Sequence, residues 1–82
     1  MPYIKQNNRP TQDIVIQAMR EAQVKADGDL NYILFKYCKY FIEPGYNNYK
    51  NFIGELCECA TEIRRKILAP YEEVKEKENG GI

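Results

Sequence analysis

Residues 49–69 read "YKNFIGELCECATEIRRKILA", and their spacing decides the fold class. Tyr49, Phe52, Ile53, Leu56, Ala60, Ile63 and Ile67 recur at intervals of three and four, so a helix gathers them into one apolar stripe. Glu55, Glu58, Glu62, Arg65 and Lys66 fall on the other side, with Glu62 and Lys66 at the supportive i, i+4 spacing. Asn48 offers an N-cap, and the preceding "EPGYNN" reads as a turn marked by Pro44-Gly45.

Upstream lies "LNYILFKYCKYFI", residues 30–42, the most apolar segment of the chain. Thirteen residues without strict alternation favour a helix over a strand, although the aromatic content suits either. Leu30, Ile33, Leu34, Tyr37, Cys38, Phe41 and Ile42 span one broad arc, edged by Phe35 and Tyr40. Asn31, Lys36 and Lys39 are its strongly polar members. Roughly two thirds of the circumference is apolar, against the ~100° that a single core requires.

Further out, "TQDIVIQAMREAQVKA" predicts a first helix from an N-cap at Thr11 to about Ala26. "DGD" at 27–29 closes it with Gly28 and caps the second helix with Asp29. Residues 1–10 carry two prolines and two asparagines without periodicity and read as an extended arm. Past Ala69, Pro70 breaks the third helix or starts a new one. "YEEVKEKE" can then form two turns with Glu72–Lys75 and Glu73–Lys77 pairs, and Asn79-Gly80 supplies a stop. A tail with its own start, side-chain pairs and stop reads as a docked arm at residues 70–82. The expectation is one all-α domain over residues 1–82, a compact three-helix body with a short C-terminal helical arm.

Composition excludes several functions. Twelve basic residues balance twelve acidic ones, so no field of one sign is available to neutralise many phosphates, and double-stranded DNA is not expected as a partner. No run approaches the ~20 apolar residues of a membrane span, and the first residues lack a signal-peptide core, which predicts a cytoplasmic protein without membrane association. Three cysteines, an odd number, make no disulfide framework. Cys57 and Cys59 on a helix point about 200° apart and cannot share an ion, and the chain has no histidine, so neither metal nor other cofactor is expected. Glycine-rich phosphate loops and nucleophile elbows are absent, which predicts a protein that is not an enzyme.

Two features fit a core less easily. Arg64 falls inside the apolar arc of the third helix, where a guanidinium needs an anion or a carbonyl, unless its stem snorkels to the surface. Seven tyrosines without a tryptophan are a heavy load for 82 residues, and Tyr3, Tyr32, Tyr46 and Tyr71 lie at or near segment ends. Such rings suit interfaces and base stacking. The candidate ligand- or partner-binding residues are therefore Asn31, Tyr32, Arg64, Arg65, Tyr71, Glu72, Lys75 and Asn79.

The stretches "MPYIK", "DGDLNYIL" and "NNYKNFIGELCECATEIRRKILAPYEEVKEKENGG" resemble a small, poorly characterised family of phage and bacterial proteins. The pattern G-D-L-N-Y followed by R-R-x4-P-Y-E-x2-K-x3-N-G carries the likeness over well more than half of the chain. Members end after Asn-Gly on an acidic residue, an apolar one and a tyrosine, whereas this chain ends "GGI". The resemblance implies a short all-helical protein associated with phages and supplies no catalytic residue. Two functions follow as expectations. One is a homo-oligomer that sequesters a nucleotide-type small molecule, such as a host immune signal. The other is a helical module that docks on a host or phage protein without a small ligand.

Overall fold

In the computed structural model, which describes residues 3–81, the chain is all-α. The first two residues of the expected N-terminal arm and the last residue of the C-terminal arm lie outside that range. A 3₁₀ turn at Gln6–Asn8 leads into α1 (Arg9–Glu21), followed by α2 (Gly28–Phe41) and α3 (Tyr46–Ile63). A π-helical turn at Arg64–Leu68 then passes into α4 (Ala69–Glu78). Backbone contacts divide the chain into two units, residues 1–43 and 44–82.

In the first unit the residues expected to be extended are already turning by Gln6, and α1 starts before Thr11. Pro10 explains the early start, since its fixed φ suits the first turn, where its missing N–H has no acceptor to lose. The helix also stops well before Ala26. Gln23 adopts φ 56°, its N–H donates to the Arg20 carbonyl at 3.0 Å, and the Val24 N–H donates to Met19 at 3.1 Å. These paired bonds form a Schellman ending built on a left-handed residue other than glycine. Replacing Gln23 by Gly should therefore raise stability by about 0.5–1 kcal/mol, read as a higher urea midpoint with an unchanged slope. A lowered midpoint would show that the Gln23 side chain contributes more than its backbone strain costs.

Asp27, not Asp29, caps α2. Its Oδ1 accepts the Asp29 N–H at 2.9 Å, and Asp29 Oδ2 in turn accepts the Lys25 N–H at 3.2 Å. The two aspartates thus bracket the turn, each serving a backbone donor of the other side. The half-buried side chains of this unit are Met19, Val24, Leu30, Ile33, Leu34, Cys38 and Ile42. Those from Leu30 to Ile42 match the arc expected for the second helix, except that Tyr37 and Phe41 stay exposed, their rings tilted at 35° with centres 5.6 Å apart.

In the second unit Gly45 leads into α3, which begins before Asn48, so Asn47 and Asn48 sit in its first turn. At the other end the helix does not stop at Pro70. Ile63, Arg64, Leu68 and Ala69 all keep right-handed helical dihedrals, and the Ala69 N–H reaches back five residues to the Arg64 carbonyl. Proline has no N–H for the Lys66 carbonyl and its ring would collide with it in a regular α-helix. One wide turn before Pro70 relieves both problems. The stop at Asn79-Gly80 is where the sequence places it: Gly80 at φ 90° donates to Lys77 at 3.2 Å, and Gly81 donates to Glu76 at 2.6 Å.

Among the described residues none is buried. Each unit by itself leaves large apolar side chains open, from Ile14 at 70% and Phe41 at 73% in the first to Tyr46 at 80% and Ile53 at 59% in the second. Among the described residues no helix is long and apolar enough to cross a membrane.

Candidate functional site

One face of α2 brings aromatic and cationic side chains together. Tyr32, Phe35, Lys36, Lys39 and Tyr40 recur at helical spacing and line a shallow hollow of about 230 Å³. Lys36 Nζ donates to the Tyr32 hydroxyl at 2.9 Å and stands 5.2 Å from the centre of that ring. Lys39 Nζ stands 5.6 Å from the Tyr40 ring. Each ammonium is held against an aromatic ring, yet all three rings remain exposed. Such pairs suit a ligand that carries both a planar group and an anion, the ring taking the former and the ammonium the latter.

Of the residues expected in the site, Tyr32 belongs to this face. Asn31 lies beside it in the first turn of α2, its backbone N–H donating to Asp27 at 3.2 Å and its side chain exposed. Phe35, Lys36, Lys39 and Tyr40 were missed, because the hydrophobic pattern assigns Phe35 and Tyr40 to the edges of an apolar arc. The signal that finds them is the i, i+4 spacing of Tyr32 with Lys36 and Phe35 with Lys39, together with the neighbouring Tyr40.

The remaining candidates belong to the second unit and separate into two groups. Arg65 is tied to Glu62 at 2.7 Å, and Lys66 holds the other oxygen of the same carboxylate at 3.1 Å. Arg64, by contrast, is exposed, and its contribution to the fold is the carbonyl that accepts Ala69. Its exposure agrees with a stem that snorkels from the apolar arc to the surface. On α4, Lys75 stands 5.7 Å over the Tyr71 ring and pairs with Glu78 at 3.1 Å, a different partner from the expected Glu72. Glu72 is exposed in the first turn of α4, and Asn79 is its C-cap. So Tyr71 and Lys75 come together, while Arg64, Glu72 and Asn79 each stand apart from them.

A further hollow of about 500 Å³ runs along α3 between Lys50, Asn51, Gly54, Glu55 and Glu58. A Cβ at Gly54 would meet nothing within 4 Å, so the missing side chain leaves the groove open but is not required by packing. Cys57 and Cys59 are exposed on the same helix. Among the described residues no group of three His, Cys, Asp or Glu side chains is arranged to hold a metal ion.

A protein family's sequence profile matches residues 1–82. The chain belongs to the DUF6899 family. The family is described as a domain of unknown function, which agrees with the resemblance to a poorly characterised family. No curated protein and no solved structure matches this DUF6899 chain. Lysine–tyrosine pairs also occur at Lys50 and Tyr46 and at Lys75 and Tyr71, each 5.7 Å apart, but the face of α2 holds two such pairs around one hollow.

Proposed function

We propose that the chain is a non-catalytic binding protein that acts as a homo-oligomer and takes a nucleotide-type small molecule. The observation that carries this reading is the lack of any buried side chain among the described residues of a chain that is 44% hydrophobic. Exposed apolar surface on this scale marks a surface that something covers. A second copy of the same chain is the partner always available to it, and closed symmetric assemblies are the commonest outcome. The Tyr32–Lys36 and Tyr40–Lys39 pairs favour a ligand with a base and a phosphate. In the phage setting that the sequence resemblance implies, such a protein would sequester a nucleotide immune signal in the cytoplasm of the host. The same exposed surface also favours a plainer reading, a helical module that docks on a host protein and needs no small ligand.

Native mass spectrometry of the protein purified from cells separates these. The expected result is a discrete oligomer carrying extra mass of nucleotide size. Changing Lys36 and Lys39 to Gln should keep the oligomer but lower the bound fraction by about tenfold or more, the cost of one or two lost charge-assisted contacts. An oligomer that never carries a ligand would favour the docking module. A bare monomer would defeat the homo-oligomer.

A further inference from the structure

Asn79-Gly80 ends α4 and plays no part in the ligand reading. It carries a chemistry of its own. The amide carbonyl of an asparagine side chain can be attacked by the backbone nitrogen of the next residue, which closes a five-membered imide ring. Glycine in that next position leaves the nitrogen without a neighbouring Cβ and frees the rotation that ring closure needs. The chain has seven asparagines, and Asn79 is the one followed by glycine.

The structure separates Asn79 from the other six. Asn31, Asn47, Asn48 and Asn51 lie inside α2 and α3, so rotating the next nitrogen toward their amides would break a helix. Asn7 and Asn8 precede N–H groups held by the 3₁₀ turn, that of Asn8 by Lys5 at 2.9 Å and that of Arg9 by Gln6. Asn79 lies past the last helical residue and is exposed, with ψ 14°. At that ψ the Gly80 nitrogen is turned toward the backbone nitrogen of Asn79 and away from its side chain. To swing over, the turn must release two bonds, Gly80 to the Lys77 carbonyl at 3.2 Å and Gly81 to Glu76 at 2.6 Å. Both close an exposed helix end, where fraying is easiest, and neither glycine has a Cβ to resist the swing. Asp27-Gly28 has the same spacing, but an acid is a poorer electrophile than an amide, and its Oδ1 is engaged by the Asp29 N–H at 2.9 Å.

We infer that Asn79 is a site of spontaneous covalent modification, converted in the folded protein to aspartyl and isoaspartyl forms by the Gly80 backbone nitrogen. That nitrogen gives its proton to hydroxide and bonds to Asn79 Cγ. The bond from Cγ to the amide nitrogen breaks, and ammonia leaves with a proton taken from water. A water molecule then opens the imide. Opening at the former side-chain carbonyl gives aspartate, and opening at the main-chain carbonyl leaves the chain running through Cγ as isoaspartate. Both products put a carboxylate at the negative end of the α4 dipole, close after Glu76 and Glu78, where it is disfavoured. The isoaspartyl form also lengthens the main chain inside the turn that Gly80 and Gly81 close. The formal net charge passes from zero to minus one, so the change is visible as charge.

The test incubates the full chain at neutral and mildly alkaline pH, at a concentration where its helical signal is complete. Isoelectric focusing and peptide mapping follow the acidic form, with Asn79→Asp as the standard for the aspartyl product. The expected result is an acidic species whose change maps to Asn79, part of it in a peptide that elutes apart from that of N79D, formed faster as hydroxide rises. Asn79→Gln makes the ring one atom larger, and Gly80→Ala crowds the attacking nitrogen with a methyl group. Each should slow the conversion by about tenfold or more. Residue 79 is exposed, so N79Q reads the chemistry without disturbing a packed side chain. An acidic form that grows as fast in N79Q comes from another amide and overturns the inference. A wild-type chain that stays unchanged in buffer but converts in concentrated urea would mean that the turn holds the Gly80 nitrogen off, which overturns it as well.

Discussion

Diluting the protein should unfold it. From about 100 µM down to about 100 nM, the helical circular dichroism signal is expected to collapse and the thermal midpoint to fall steadily, because assembly and folding are one equilibrium when no folded monomer stands alone. The physical reason lies in each unit. An isolated helix the length of α1, α2 or α3 is marginal in water, and what normally rescues it is an apolar face packed on something. Among the described residues, the half-buried ones of the first unit are few, and in the second only Phe52, Ala60 and Glu62 are even half-buried. Capping and surface pairs cannot replace a core. The Glu62–Arg65 and Glu62–Lys66 pairs are worth roughly 0.3–0.5 kcal/mol each. For a dimer, a thousandfold dilution removes about 4 kcal/mol of apparent stability, comparable with the whole stability of a small domain. A midpoint that moves by less than about 1 °C over that range would mean that each chain holds its own helices.

The exposed apolar surface behind that expectation was partly legible in the sequence. The two-thirds apolar circumference of residues 30–42 announces more hydrophobic surface than one small core absorbs, and the structure leaves Phe35, Tyr37, Tyr40 and Phe41 exposed. The helices themselves were legible because periodicity and punctuation agree: "EPGYNN" falls between α2 and α3, and Asn79-Gly80 ends α4. The details that escaped have local causes. A left-handed Gln23 is invisible to propensity, since glycine is the residue expected there and Gly28 stood ready to be chosen instead. Asp27 and Asp29 are both good caps, and only the backbone decides between them. In the site, Lys36 and Lys39 were read as breaks in an apolar arc, when each lies against a tyrosine ring. The π-helical turn was legible only as a conflict: a strong stripe running into Pro70, with helix signals on both sides of it.

That conflict sets the second large effect, the response to Pro70→Ala. Alanine restores the N–H that the Lys66 carbonyl lacks and removes the ring that forces the wide turn, so the π-helical turn should relax to an α-helix from Tyr46 through Glu78. Removing the extra residue turns everything beyond it back by about 100°. In the present structure Val74 lies off the stripe, as though it were one residue earlier; after the change it joins Ile53, Ala60 and Ile67 on the apolar stripe. Two gains follow, part of the ~3 kcal/mol that proline costs inside a helix and the ~1.5–2 kcal/mol of covering an exposed valine. The variant should therefore unfold at a urea midpoint raised by the equivalent of about 2–4 kcal/mol per chain, with more helical signal. Adding Val74→Ala to it should remove the share that depends on the stripe, while Val74→Ala alone, with Val74 off the stripe, should change stability by less than about 0.5 kcal/mol. If P70A and wild type unfold at the same midpoint, the wide turn has a cause other than proline. If V74A costs as much alone as in P70A, Val74 already lies on the stripe and the rotation does not occur. The wide turn also sets Tyr71, with Lys75 5.7 Å over its ring, about 100° round from where an unbroken helix would place them, so P70A should move this pair together with Val74.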